Sequence, residues 1–226
     1  MYFTERTLTF IKSVLKSYGH SNVKRLLWDK EYSGDKWNFA DNTLGDCVYI
    51  HLEKYVRNGS ILDLGCGTGN TATELAASVY RRYVGVDISE TGLRKAMRRS
   101  HDAGRTDKNH FERGDFLNYV PTQQFDVILF RESMYHVPLH KIKTMLDRYS
   151  LYLKDGGVFV VKMNASGGKL ARPKAMVGVM ETEFDVMEKQ QYGDSGPTVI
   201  VFRPNLPITK GVDRRFGEEN VGEKHA

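Results

Sequence analysis

The sequence predicts an α/β protein built on a mostly parallel sheet with helices on both faces, an antiparallel hairpin at its C-terminal end and a helical cap at its N-terminus. Two observations carry most of this. From residue 61 onward, short apolar runs at 61–64, 83–87, 125–130 and 158–163 alternate with helical stretches, and strands separated by helices pair in parallel through right-handed crossovers. Near the end, strand-like runs at 184–192 and 198–204 are joined by Gly193-Asp194-Ser195-Gly196-Pro197, the turn chemistry of a hairpin. A chain of 226 residues suits one domain of this kind and is short for two.

In the cap, residues 1–59, Leu8, Ile11 and Leu15 recur at helical spacing and Gly19 closes the helix. A short helical piece follows at 22–28, then a polar loop at 31–37 that carries Tyr32 and Trp37. Leu44, Val48, Leu52 and Tyr55 mark another helix, with Gly59 as its stop signal. In the core, residues 60–204, Pro138 opens a helix whose Leu139, Ile142, Leu146, Tyr149 and Leu153 share a face, ended by Gly156-Gly157. The tail, 205–226, has three glycines, scattered charge and no apolar period, so it is expected to be mobile.

Hydrophobic residues make up 40% and charged residues 27% of the chain, the balance of a soluble globular protein. Its apolar runs are too short to cross a bilayer, so no membrane span is expected. The N-terminus lacks the continuous apolar stretch of a secretory signal, which predicts a cytoplasmic protein, and Cys47 and Cys66 read as free thiols. A net charge of +5 suits nucleic acid or an acidic substrate. Much of that charge, however, sits in Arg94, Lys95, Arg98 and Arg99 among the apolar Leu93, Ala96 and Met97, the pattern of a helix with one solvated face.

The chemistry concentrates in three places. Gly65, Gly67 and Gly69 alternate directly after a buried strand and before a helix, so a backbone without Cβ atoms can turn tightly and lie against a ligand. The dinucleotide spacing Gly-x-Gly-x-x-Gly would need glycine at position 70, where the chain has Asn70. Asp87 closes the second strand 22 residues beyond Gly65, the distance at which a carboxylate can accept both ribose hydroxyls of an adenosine lying across the strand ends. After the third strand, Asp115 offers an acceptor for an exocyclic amine beside the flat apolar wall of Phe116, and Ile88 offers the opposite wall.

Asp63-x-Gly65-x-Gly67-x-Gly69, Asp87 and Gly114-Asp115-Phe116 resemble, in order, the successive cofactor motifs of the class I, Rossmann-like S-adenosylmethionine-dependent methyltransferases. The likeness runs from residue 61 to 204. It implies a seven-stranded sheet with an antiparallel last hairpin, S-adenosylmethionine as cofactor, S-adenosylhomocysteine as product, and no metal. It also implies that Asp63 and the turn Gly65, Cys66, Gly67 and Gly69 serve the methionine part, that Asp87 binds the ribose, that Asp115 with Phe116 holds the adenine, and that Arg131 follows the strand facing the sulfonium. Members with such a cap often close it over the ligands, which makes Tyr32 and Trp37 lid candidates, their aromatic faces attracting the sulfonium.

Because the donor is already activated by its positive charge, positioning and exclusion of water supply most of the catalysis. The segment Arg131-Glu132-Ser133-Met134-Tyr135-His136 projects at the carboxyl ends of the strands, where ligands bind in such sheets. His136 offers a proton acceptor near neutral pH, and Glu132 a group that orients it or binds a cationic acceptor. The alternative is that both cap the helix around Pro138. Tyr135 joins them on the acceptor side. His136-x-x-x-His140 lacks the glutamate and third ligand of a zinc site, so no metal is expected. Lys162, at the end of the fifth strand, is expected to be solvated.

The acceptor is narrowed by what is missing. After the fourth strand the chain reads Arg-Glu-Ser-Met, not the Asn/Asp-Pro-Pro-aromatic of base amino-methyltransferases. Neither Cys47 nor Cys66 precedes a proline, as a cytosine-C5 enzyme requires, and the Asp pair with Asn of metal-dependent catechol-type enzymes is lacking. The expectation is a small metabolite methylated at O, N or C by a monomer or homodimer. The alternatives are an RNA or protein methyltransferase, favoured by a sequence pI of 9.1, or a non-catalytic cofactor-binding subunit.

Overall fold

The computed structural model describes residues 5–34, 43–164, 171–194 and 196–205. Trp37 and the tail beyond Asn205 lie outside the described residues. Seven strands form one sheet in the order β3-β2-β1-β4-β5-β7-β6. They are β1 (Ser60–Leu64), β2 (Arg82–Asp87), β3 (Asn109–Arg113), β4 (Phe125–Arg131), β5 (Leu153–Met163), β6 (Phe184–Gln191) and β7 (Thr198–Pro204). Pairs among β1 to β5 are parallel, and β7 runs antiparallel to both β5 and β6. The strand order reverses between β1 and β4, which opens a crevice at their carboxyl ends.

Alternating side chains divide the sheet between two cores. Leu62, Leu64, Ile128, Phe130, Phe159 and Val161 share one with α6 (Ile142–Ser150) and α7 (Ala171–Glu183). Ile61, Val127, Leu129, Val158 and Val160 share the other with α3 (Val48–Val56) and α4 (Asn70–Glu74). Between β2 and β3 runs α5 (Glu90–Asp102), capped by the Ser89 hydroxyl, which accepts from Gly92 N. Leu93 and Ala96 bury as the sequence predicts, but Arg99 turns inward and donates to Asn70 Oδ1.

Several local expectations are corrected. The first helix, α1 (Glu5–Tyr18), forms, yet Leu8, Ile11 and Leu15 stay exposed while Lys16 and Ser17 are buried. The second, α2 (Ser21–Ser33), continues through Glu31, Tyr32 and Ser33, which polar composition assigns to a loop. Long-range contacts override that composition: Glu31 pairs with Lys16, and Tyr32 packs on the glycine turn. Leu44 precedes α3 and is exposed. The chain leaves α3 through Arg57 and Asn58, both left-handed, at φ 49° and 57°. Gly59 is needed instead for close approach, because a Cβ there would collide with the Asp126 carboxylate. Leu153 and Gly156-Gly157 belong to β5, not to the end of α6. Leu153 pairs with Phe125, and a Cβ on Gly157 would lie 3.0 Å from the Phe125 carbonyl oxygen. No described helix is long and apolar enough to cross a membrane.

Candidate active site

A cavity of about 470 Å³ opens at the carboxyl ends of β1, β2, β4 and β5 and is walled on its far side by α1 and α2. Its floor is the turn after β1. Gly65, Gly67 and Gly69 all take left-handed φ values, 85°, 56° and 78°, and each has a different neighbour where a side chain would begin. At Gly65 it is Ser133; at Gly67 the Tyr32 hydroxyl, 2.8 Å away; at Gly69 the Ala96 Cβ, 2.7 Å away. The turn is thus pressed against the β4 loop, the cap and α5 at once. Gly65, Cys66 and Gly67 line the cavity, whereas Gly69 and Asp63 do not. Asp63 is buried beneath the turn, where its Oδ2 accepts from the Tyr83 hydroxyl at 2.6 Å and burial pushes its pKa up to about 6. Burial, reinforced by the charges of Asp87 and Asp63, also pushes the Cys66 thiol well above its ordinary range.

Asp87 lines the cavity beside this turn. Its Oδ2 accepts from Gly67 N at 2.9 Å and its Oδ1 from Ser89 N at 2.8 Å. Burial outweighs these donors and raises its pKa to about 6. Across the cavity, Asp115 Oδ1 accepts from Leu117 N, while Oδ2 accepts from the Ser21 hydroxyl and the buried Lys24 ammonium, both at 3.0 Å. The Phe116 ring stands edge-on to Phe130 at 6.0 Å, and Ile88 completes this apolar end.

The opposite end is charged. Asp46, just before α3, receives Arg131 Nε and Nη2 at 3.0 and 2.7 Å and Lys162 Nζ at 2.8 Å. Burial opposes its ionisation, but these two cations hold its carboxyl below the usual range. Lys162 also lies 3.2 Å from Glu132 Oε1, so it is a buried, paired group and not the solvated lysine expected. Glu132 sits at φ 56°, an uncommon conformation for a glutamate, and its Oε2 accepts from the Tyr135 hydroxyl at 2.8 Å.

His136 stands edge-on to Trp28, ring centroids 4.8 Å apart. Burial, with the nearby cations Lys16 and Arg172, lowers its pKa to about 4. The imidazole is therefore neutral throughout the physiological range. Trp28 and Tyr32 stack at 5.9 Å, one turn apart on α2. Trp37 lies outside the described residues.

Every described residue singled out from the sequence for this site thus lines one cavity, except Gly69 and Asp63. Sequence reasoning missed Lys16, Lys24, Trp28 and Asp46. Only Asp46 carries a local signal: its Oδ1 accepts from Val48 N at the start of α3, an aspartate turn that the spacing could have suggested. Among the described residues no cluster of three metal-ligating side chains occurs.

A sheet that reverses only at its last strand, with a glycine turn after β1 and an acid closing β2, is similar in fold to solved S-adenosylmethionine-dependent methyltransferases. The sequence profile of a methyltransferase domain matches residues 61–157. Among its relatives, a sterol 24-C-methyltransferase of Eremothecium gossypii is 27% identical over 161 residues, 70% of this chain and 42% of that protein. The 27-O-demethylrifamycin SV methyltransferase of Amycolatopsis mediterranei is 34% identical over 119 residues, 50% of this chain and 44% of that protein. This chain therefore spans less than half the length of these relatives. In fold it is similar to the N-methyltransferase NodS of Bradyrhizobium japonicum, solved with S-adenosyl-L-homocysteine. The TM-score is 0.63 at 19% identity, over 80% of this chain and 98% of that one.

Proposed function

We propose that this protein binds S-adenosylmethionine in the cavity and catalyses transfer of its methyl group to O, N or C of a small metabolite. The observation that carries this reading is the pair formed by the Gly67 turn and Asp87. The carboxylate is held in place by two backbone N–H groups, and each oxygen keeps a lone pair for a ribose hydroxyl. Asp115, Phe116 and Ile88 hold the adenine; the turn from Gly65 to Gly67 lies along the methionine part, on the side of Arg131.

The cofactor, when bound, supplies a methyl group on a positively charged sulfur, so the protein's own task is to orient the acceptor and exclude water. His136, kept neutral, accepts a hydrogen bond from the acceptor, and Glu132 with Tyr135 flanks it. Tyr32 acts as the lid over Gly67, and the cap, residues 1–59, supplies specificity. A small acceptor is supported by the walled cavity and by the relatives, whose names specify a sterol and a rifamycin precursor. Two free thiols accord with a cytoplasmic setting, and we take the working unit as a monomer or homodimer.

Calorimetry with S-adenosylhomocysteine tests the binding half: wild type binds, and Asp87→Ala loses at least tenfold in affinity. Incubating the protein with methyl-labelled cofactor and a metabolite extract, followed by mass spectrometry, tests the transfer half and identifies the acceptor. Absence of measurable affinity for either form of the cofactor overturns the reading.

A further inference from the structure

The cap's first helix is oriented the wrong way round for a helix that merely packs. It buries a polar flank, Lys16 and Ser17, and turns its apolar residues outward: Phe10 is 68% and Tyr18 61% exposed, with Leu8, Ile11, Val14 and Leu15 also exposed. On α2, which packs against α1, Leu26 is 59% exposed. Burying apolar side chains is the main drive for docking a helix, so an apolar face left exposed marks a surface suited to a partner.

The charges around this face specify that surface. Among the described side chains of α1 and α2, both carboxylates are turned inward: Glu31 pairs with Lys16, and Asp29 accepts from the Ser89 hydroxyl at 2.7 Å and Thr91 N at 3.0 Å on α5. Facing outward on these two helices are Lys12 and Lys30, each one turn from an exposed leucine, Leu8 and Leu26. A second copy of the chain would set these cations against each other. An anionic lipid surface accommodates both the apolar residues and the cations, as for helices that lie in a membrane interface.

We propose that the outer face of α1 and α2 docks this protein onto an anionic lipid surface, in the plane of the interface and without crossing it. The inner sides of the same two helices wall the cavity, through Lys16, Lys24, Trp28 and Tyr32. Docking therefore sets the cavity beside the lipid, where an apolar acceptor would be dissolved.

The test uses the full chain and vesicles, and needs no activity. Wild type is expected to co-sediment with vesicles of phosphatidylcholine containing phosphatidylglycerol, at least tenfold more than with phosphatidylcholine alone, and to be released by salt. Phe10→Glu with Leu26→Glu should abolish sedimentation while leaving the thermal melt and S-adenosylhomocysteine binding unchanged. Lys12→Glu with Lys30→Glu should remove the preference for anionic vesicles. Light scattering on the same samples separates the other occupant. A wild-type dimer that the apolar double variant converts to monomer overturns the proposal, as does wild type that ignores both kinds of vesicle.

Discussion

Asp87 is poised between two opposing influences: Ser89 N and Gly67 N donate to its oxygens, yet burial still lifts its pKa to about 6. A diol needs the ionised carboxylate as acceptor, so protonating Asp87 competes with the ligand. At pH 5 about a tenth of the sites are ionised, and affinity for S-adenosylhomocysteine should be roughly tenfold weaker than at pH 7.5. Calorimetry at the two pH values reads this directly; a flat profile moves the ribose away from Asp87. His136 works in the opposite direction on stability. Its folded pKa of about 4 lies below the ordinary 6.5, so between those values the unfolded chain binds the proton that the folded one refuses. Stability therefore falls as pH drops through this window. From pH 7 to 4.5 wild type should lose about 2 kcal/mol more than His136→Phe, a difference visible in urea midpoints. Equal losses would mean that His136 is not shielded from protonation.

At the scale of elements, the site depends on Asp46, which ties the start of α3 to the ends of β4 and β5 through Arg131 and Lys162. Asp46→Ala leaves the partly buried Arg131 without its carboxylate and the buried Lys162 with Glu132 alone. The expected cost is about 3 kcal/mol, because an unpaired buried charge is worse than none. Denaturant titration measures it; a loss under about 0.5 kcal/mol would show solvent screening the cluster. This cluster also marks the limit of what was legible in the sequence. The strands β1, β2, β4 and β5 are buried on both faces and read as continuous apolar runs, and the turn and Asp87 follow from spacing. Lys162 looked solvated because its partners, Asp46 and Glu132, are 116 and 30 positions away. Lys24 meets Asp115 across 91 positions, and no helical or strand period announces such a pair. Leu153 fitted the helical face of α6 as well as the strand it joins, so the boundary was decided by pairing with Phe125.

In the whole molecule the cavity is the place where cap and sheet meet, so a ligand there should bind them into one cooperative unit. Asp115 already joins them: Ser21 and Lys24 of α2 donate to the carboxylate that we propose meets the adenine. An amine added to that acceptor either shares Oδ2 with the cap or displaces it, and the two outcomes differ in a measurable way. S-adenosylhomocysteine at roughly 100 times its Kd should stabilise the fold by about 2.7 kcal/mol, raising Tm by about 5–10 °C for a chain of this length. If the acceptor is shared, α2 amides gain hydrogen-exchange protection together with those of β1 and β2, and unfolding remains a single transition. If it is displaced, core protection rises while α2 exchanges faster, and the melt divides into a cap step and a core step. The paired geometry of Asp115, with both oxygens directed by fixed donors on α2 and at Leu117, favours sharing. A split melt with an unprotected α2 would instead assign the cap to acceptor exchange alone and remove it from the cofactor site.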